Sequence, residues 1–189
     1  MATYIDINKE YRKKITIDRA GDYVLFMHNY SGKVIVECAT SNINVDIFGL
    51  YIGKTSDKFK VDTVQLHTAP NSVSNLFIKG VFDDNSKFDY EGLIRIEKTG
   101  QQCHAYQKNK NLILSDATYI ESKPFLEILA NDVFCTHGST TGKLNEEELF
   151  YTKSRGLNSE DAQKLLVDGF IYEIEDIIKQ KIPEFSLLI

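Results

Sequence analysis

Apolar and polar residues alternate through most of this chain, in short runs that recur about every ten residues. Ile15/Ile17, Val24/Phe26, Val34/Val36 and Val45/Ile47 are the apolar members of the first four runs. An apolar residue at every second position lines one face of a strand. Gly21, Gly32 and Asn42 sit between the runs, where the backbone must turn sharply. The pattern continues, less regularly, through Val64/Leu66, Leu76/Ile78, Leu93/Ile94/Ile96, Leu112/Leu114 and Ile128. Regular short strands fit a sandwich, a barrel or a solenoid of stacked rungs, and spacing alone does not separate them. In a solenoid, two such strands would make a rung of roughly twenty residues.

The character changes near Asn145. This residue and Glu148, three positions on, form a variant capping box, and Arg155-Gly156 predicts the end of a short helix. Asn158 and Asp161 repeat the start signal. Ala162, Leu165, Leu166, Phe170, Ile174, Ile177 and Ile178 then make an apolar stripe at helical spacing, which Pro183 stops. No linker rich in Pro, Gly or Ser separates the two parts, so the helices are expected on the end of the β part or on a partner. The tail Phe185-Ser186-Leu187-Leu188-Ile189 is apolar enough to expect docking.

Composition narrows the class. The chain has 189 residues, 42% hydrophobic and 26% charged, which suits a globular protein with a real core. Ten Tyr and eleven Phe with no Trp favour strands. A net charge of −5 argues against a nucleic-acid binder, which needs a basic face for phosphates. No basic-then-apolar leader follows Met1, and no apolar run approaches the roughly 18 residues of a membrane span. The expected location is the cytoplasm, away from membranes. Cys38, Cys103 and Cys135, odd in number and far apart, fit reduced thiols better than a disulfide framework.

Cys135 and His137 are two apart, so on a strand both side chains point to one face. Thiolate and imidazole together suit iron, zinc or an Fe–S ligand set, but two donors leave such a site open and require others from elsewhere. Cys103 and His104 are adjacent and face opposite ways, and Cys38 reads as core. Gly49-Leu50-Tyr51-Ile52-Gly53-Lys54-Thr55 has three residues between its glycines where a phosphate loop needs four, and no helix signal follows. Glu146, Glu147 and Glu148 read as a solvated first helical turn. His67 lies near Ser72 and Ser74 without a third residue to orient it.

The run Cys135-Thr136-His137-Gly138-Ser139-Thr140-Thr141-Gly142, with Leu144-Asn145-Glu146-Glu147-Glu148-Leu149-Phe150-Tyr151 and Ser154-Arg155-Gly156-Leu157, resembles the SufB/SufD family of iron–sulfur cluster assembly scaffolds. Asn111-Leu112-Ile113-Leu114-Ser115-Asp116-Ala117 and Glu127-Ile128-Leu129-Ala130-Asn131-Asp132-Val133 bring it closer to the SufD branch. SufB-type proteins place a cysteine in the segment corresponding to Leu114-Ser115-Asp116, where this chain has Ser115. The likeness runs from about His67 to Phe170.

This resemblance implies a right-handed parallel β-helix over residues 1–144 and a C-terminal helical region over 145–189. It implies a SufD-like scaffold subunit, not an enzyme, acting in the SUF complex with a SufC-type ABC ATPase. Cys135 and His137 would be ligands for iron or a transient iron–sulfur cluster at a subunit interface, with no nucleotide bound by this chain. The ATPase would meet Phe150, Tyr151, Arg155, Leu165, Leu166 and Phe170, and a SufB-type subunit or a second copy would complete the pair. Family members carry a helical N-terminal domain before a longer β-helix, so the expectation here is a short form without it. The alternative is a non-catalytic β-solenoid interaction module in which the Cys-x-His pair is incidental. A β-helix carbohydrate enzyme would need clustered carboxylates, for which Asp83, Asp84 and Asp89 are the only candidates and look like a turn.

Overall fold

Successive strands alternate between two parallel sheets in the computed structural model, which describes residues 2–10 and 13–187. One sheet holds β1 (Thr3–Asp6), β3 (Gly21–His28), β5 (Ile43–Gly53), β7 (Val73–Phe82), β9 (His104–Ile113) and β11 (Phe134–Gly142), in that order. The other holds β2 (Lys14–Ile17), β4 (Gly32–Cys38), β6 (Lys58–His67), β8 (Lys87–Ile96) and β10 (Tyr119–Ile128). Each coil gives one strand to each sheet, and each strand pairs in parallel with the strand one coil away. The architecture is a parallel β-helix followed by two helices, α1 (Glu146–Ser154) and α2 (Ser159–Lys179).

The rung of roughly twenty residues holds only at the start. Thr3 lies beside Tyr23, Lys14 beside Ile35 and Gly21 beside Ile43, offsets of 20–22 residues. Asn44–Val73, Val73–His104 and His104–Phe134 are offset by 29–31. The later coils are longer because their strands run 9–11 residues, against 4–8 in the first four. Corners stack as the strands do. Asn42, Asn71 and Gln102 all take left-handed backbone (φ 62°, 58° and 59°), and the Asn42 and Asn71 N–H groups donate to carbonyls one coil on. Short polar side chains tolerate that conformation better than β-branched ones.

The early coils enclose an apolar interior. Leu25, Met27, Ile43, Val45, Ile47, Leu76 and Ile78 from one sheet meet Val34, Val36, Val61, Phe88 and Tyr90 from the other. Tyr51 and Phe82 contact Phe88 at centroid distances of 4.8 and 4.9 Å. Phe82 lies over Gly80, where an added Cβ would come within 2.2 Å of the ring, so only glycine fits beneath it.

α2 does not sit on the end of the stack, as expected above, but lies across the outer face of the six-stranded sheet. Its buried Ile171, Ile174 and Ile178 join Ile182, Phe185 and Leu187 of the following tail in one apolar cluster with Val24, Phe26, Phe48, Leu50, Val81 and Leu112. Each isoleucine so buried contributes about 1.5–3 kcal/mol. The helix starts where Asn158 Oδ1 accepts the Asp161 N–H at 2.9 Å, and α1 starts where Asn145 Oδ1 accepts from Glu147 and Glu148. α1 ends at Arg155 with Gly156 at φ 100°. Of the apolar tail, Phe185 and Leu187 are buried, Phe185 against Phe26 and Tyr4, while Leu188 and Ile189 lie outside the described residues. Among the described residues no helix is long and apolar enough to cross a membrane.

One interior group makes stability depend on pH. His67 is buried between Cys38 and Ile96 of neighbouring coils, with Nε2 2.8 Å from Ser74 Oγ and, among the described residues, no partner for Nδ1. Burial lowers its pKa from 6.5 to about 4. The unfolded chain therefore takes up a proton that the folded chain refuses, so stability is lost as pH falls from about 6.5 towards 4. The loss expected from His67 alone is about 3 kcal/mol. Urea denaturation at pH 7 and pH 4.5 should show a steeper loss for the native chain than for His67→Gln, by most of that amount.

Candidate functional site

Two columns of inward-facing residues run through the six-stranded sheet and end on β11. Tyr23, Val45, Ser74, Ala105 and Cys135 are in register in one column; Leu25, Ile47, Leu76, Gln107 and His137 form the next. Cys135 and His137 therefore share the interior side of the last strand. Cys135 is half-buried with Ala130 and Val133 against Ile94, Ile96, Cys103 and Ala105, whereas His137 is exposed. Burial pushes the Cys135 thiol pKa up, and a backbone hydrogen bond from Ala105 opposes it.

Beyond β11 and β10 neither sheet has another strand among the described residues, so both present open backbone edges. The two lips of this end differ. On β10 the inward row is Ile120, Ser122, Pro124, Leu126 and Ile128, with Leu126 and Ile128 41% and 36% exposed. On β11 the row continues from Cys135 and His137 to Ser139 and Thr141. Ser139 Oγ lies 3.1 Å from Ser122 Oγ and 3.5 Å from Asn109 Oδ1, and the Asn111 amide donates to Thr141 Oγ1 at 3.3 Å. One lip is apolar and the other polar and donor-rich. Among the described residues, no group of three or more His, Cys, Asp or Glu could hold a metal. The chain brings two soft donors to this face, and a metal centre there needs more from outside.

The helical residues named from the sequence divide into two sets. Phe150, Tyr151 and Leu165 are 75%, 57% and 53% exposed. Arg155 donates to Tyr151 OH at 3.0 Å, with its guanidinium 5.1 Å from that ring, so the two hold each other in the open. Leu166 and Phe170 are half-buried. Phe170 packs towards the sheet, its ring 4.0 Å from Lys79 Nζ, so its main role is internal. A cleft of about 470 Å³ between α1, α2 and β9 is lined by Leu112, Leu144, Leu165, Leu166 and Phe170.

The remaining candidates are structural. Cys103 and Cys38 are buried, and His104 is exposed beside Phe134 with ring centroids 5.9 Å apart. Gly49 and Gly53 lie inside β5, which leads into β6 and not a helix. Glu146, Glu147 and Glu148 are exposed in the first turn of α1. His67 and Ser74 hydrogen-bond within the solenoid, but among the described residues no carboxylate bonds to His67 to orient it. Asp84 Oδ2 caps the Thr55 N–H at 2.8 Å and Asp83 Oδ1 caps Asp84, while Asp89 lies on β8. Sequence reasoning missed the lip of Leu126 and Ile128. Pro124 was the available signal, since a residue without an N–H is placed on edge strands.

Comparison with known proteins places these features in context. A family model described as SUF system FeS cluster assembly, SufBD core domain, matches residues 13–170. An iron–sulfur cluster assembly SufBD family protein of Synechocystis is 39% identical over 109 residues, 58% of this chain and 24% of the relative. The iron–sulfur cluster assembly protein SufD of Escherichia coli is 32% identical over 103 residues, 54% of this chain and 24% of its own length. A SufBD family protein of Mycobacterium bovis is 31% identical over 151 residues, 75% of this chain and 37% of that protein. The matched stretch spans between about a quarter and somewhat over a third of these relatives.

The three thiols should separate by accessibility. Cys38 and Cys103 are buried and Cys135 is half-buried at the open end, so an alkylating reagent should modify Cys135 first in the native chain. Mass spectrometry of digests should show Cys135 labelled at least about tenfold faster than the other two, all three equalising in denaturant.

Proposed function

The chain belongs to the SufBD family of iron–sulfur cluster assembly, and from that premise we propose that it is a SufD-like scaffold subunit. Cys135 and His137 take iron or a nascent cluster as cargo, and the end coil of a partner supplies the remaining donors. That partner is a SufB-type subunit or a second copy of this chain, added to the open edges of β10 and β11. Residues 1–144 serve as the scaffold core and 145–189 as the region that a SufC-type ABC ATPase engages, in the reducing cytoplasm. Phe150, Tyr151, Arg155 and Leu165 meet the ATPase, with Leu166 and Phe170 supporting them from below. The chain itself catalyses nothing and binds no nucleotide.

The observation that carries this reading is the pairing of Cys135 and His137 as the last inward residues of two coil columns, at an edge on which no further strand is stacked among the described residues. Soft donors at the end of a column lie where a second β-helix would close over them. Ser115, a turn residue that accepts the Ala117 N–H at 3.2 Å, favours the SufD-like role over a SufB-like one.

Two measurements test it. Anaerobic reconstitution with ferrous iron and sulfide, with the SufB-type partner present, should give a cluster absorbance that falls at least about tenfold in Cys135→Ala and His137→Ala. Equal iron in all three proteins would favour the interaction-module reading instead. Titration with a SufC-type ATPase should show binding that Phe150→Glu or Leu165→Glu weakens by roughly 30-fold or more, because a charge then replaces an exposed apolar anchor.

A further inference from the structure

Lys79 is a fully buried lysine that the reading above does not use. It lies on the outer face of β7 beneath α2, with no exposed surface. Its ammonium donates to the Phe170 carbonyl and to Glu173 Oε2, and sits 4.0 Å from the Phe170 ring and 5.6 Å from that of Phe77. Lys110, its neighbour in register on β9, lies 3.9 Å from the same carboxylate. Desolvation lowers the Lys79 pKa while Glu173 opposes that. A second clasp of opposite polarity lies further along, where Lys181, just beyond α2, reaches Asp46 of β5 at 2.6 Å.

An apolar helix face on an apolar sheet does not fix its own position. Sliding α2 by one turn, about 5.4 Å, would exchange isoleucine contacts for similar ones. It would also part both clasps, and Lys79 would then be a buried charge with no counter-charge. Buried ion pairs add little net stability, and their best-attested use is to select one register over others. We infer that Lys79 is a positioning residue that pins α2 to a single register on the sheet, and thereby sets where the exposed surface of Phe150, Tyr151 and Leu165 stands. The ATPase part of this inference rests on the function proposed above; the pin does not.

The pin predicts an asymmetry between its two halves. Glu173 is half-exposed and keeps Lys110, so Lys79→Met removes the charge and leaves no orphan. Glu173→Gln leaves the Lys79 ammonium buried with no counter-charge, held only by neutral partners: the Phe170 carbonyl, the new amide oxygen and two ring faces. In urea titrations Lys79→Met should change the folding constant by no more than about fivefold, and Glu173→Gln should lower it more than about a hundredfold. Hydrogen exchange of residues 159–179 should show α2 protection at least about tenfold weaker in Lys79→Met, with β5 and β7 unchanged. The double variant should regain stability but not protection. Native protection of α2 in Lys79→Met, failure of that variant to fold, or a milder effect of Glu173→Gln would each overturn the pin. If the native chain binds no SufC-type ATPase while the exchange results hold, the functional reading alone falls. If the ATPase binds native chain and Lys79→Met equally well, the link from pin to surface falls.

Discussion

In-register parallel stacking is the constraint on which the rest of this molecule depends. Each strand pairs with the strand one coil away, so a residue that faces inward in one coil has an inward-facing partner in the next. A column can change chemistry along its length but cannot change sides without losing register. Leu25, Ile47 and Leu76 are apolar because their column lies between closed coils; Gln107 and His137 follow in the same column as the stack approaches its end. The neighbouring column passes from Val45 through Ser74 and Ala105 to Cys135. The candidate site is what the core becomes where the coils stop.

Most of the strands were legible in the alternation, and so was the change at Asn145. What escaped was the side on which each apolar residue lies. Val24 and Phe26 read as core of the coil, yet they lie in the outer cluster shared with α2 and the tail, while the alternate residues Leu25 and Met27 fill the interior. A strand covered on both faces is apolar on both, and alternation then loses its meaning. The placement of α2 was hidden for the same reason, since the surface that receives it looks like ordinary core sequence. Lys79 was illegible for the opposite reason: a lysine in an alternating strand reads as solvent-facing, and only the helix that returns 91 residues later in the chain buries it. At the site, the shared face of Cys135 and His137 follows from their spacing alone. Their place at an unpaired edge does not, because an edge is a property of the whole sheet order.

The same order sets a gradient of local stability. The outer apolar cluster draws residues from β3, β5, β7 and β9, so the helix and the tail behind it together tie four strands of one sheet. Among the described residues β11 gives that cluster no member and has a neighbour on one side only, and it faces the interior with Cys135, His137, Ser139 and Thr141 instead of leucine or isoleucine. An added Cβ at Gly138 or Gly142 would meet nothing within 4 Å, so the strand is loosely surrounded as well. Few buried apolar contacts and an open backbone edge put this strand at the low end of the molecule's stability. Under the function proposed above, that place suits donors that take up a cargo and give it away, because moving them disturbs few other contacts. The apolar lip of Leu126 and Ile128 lies directly across the end face, and its burial would favour association even while the polar lip opens. In the pair proposed above, a face that adheres on one side and yields on the other would open as a hinge, without the partners having to separate.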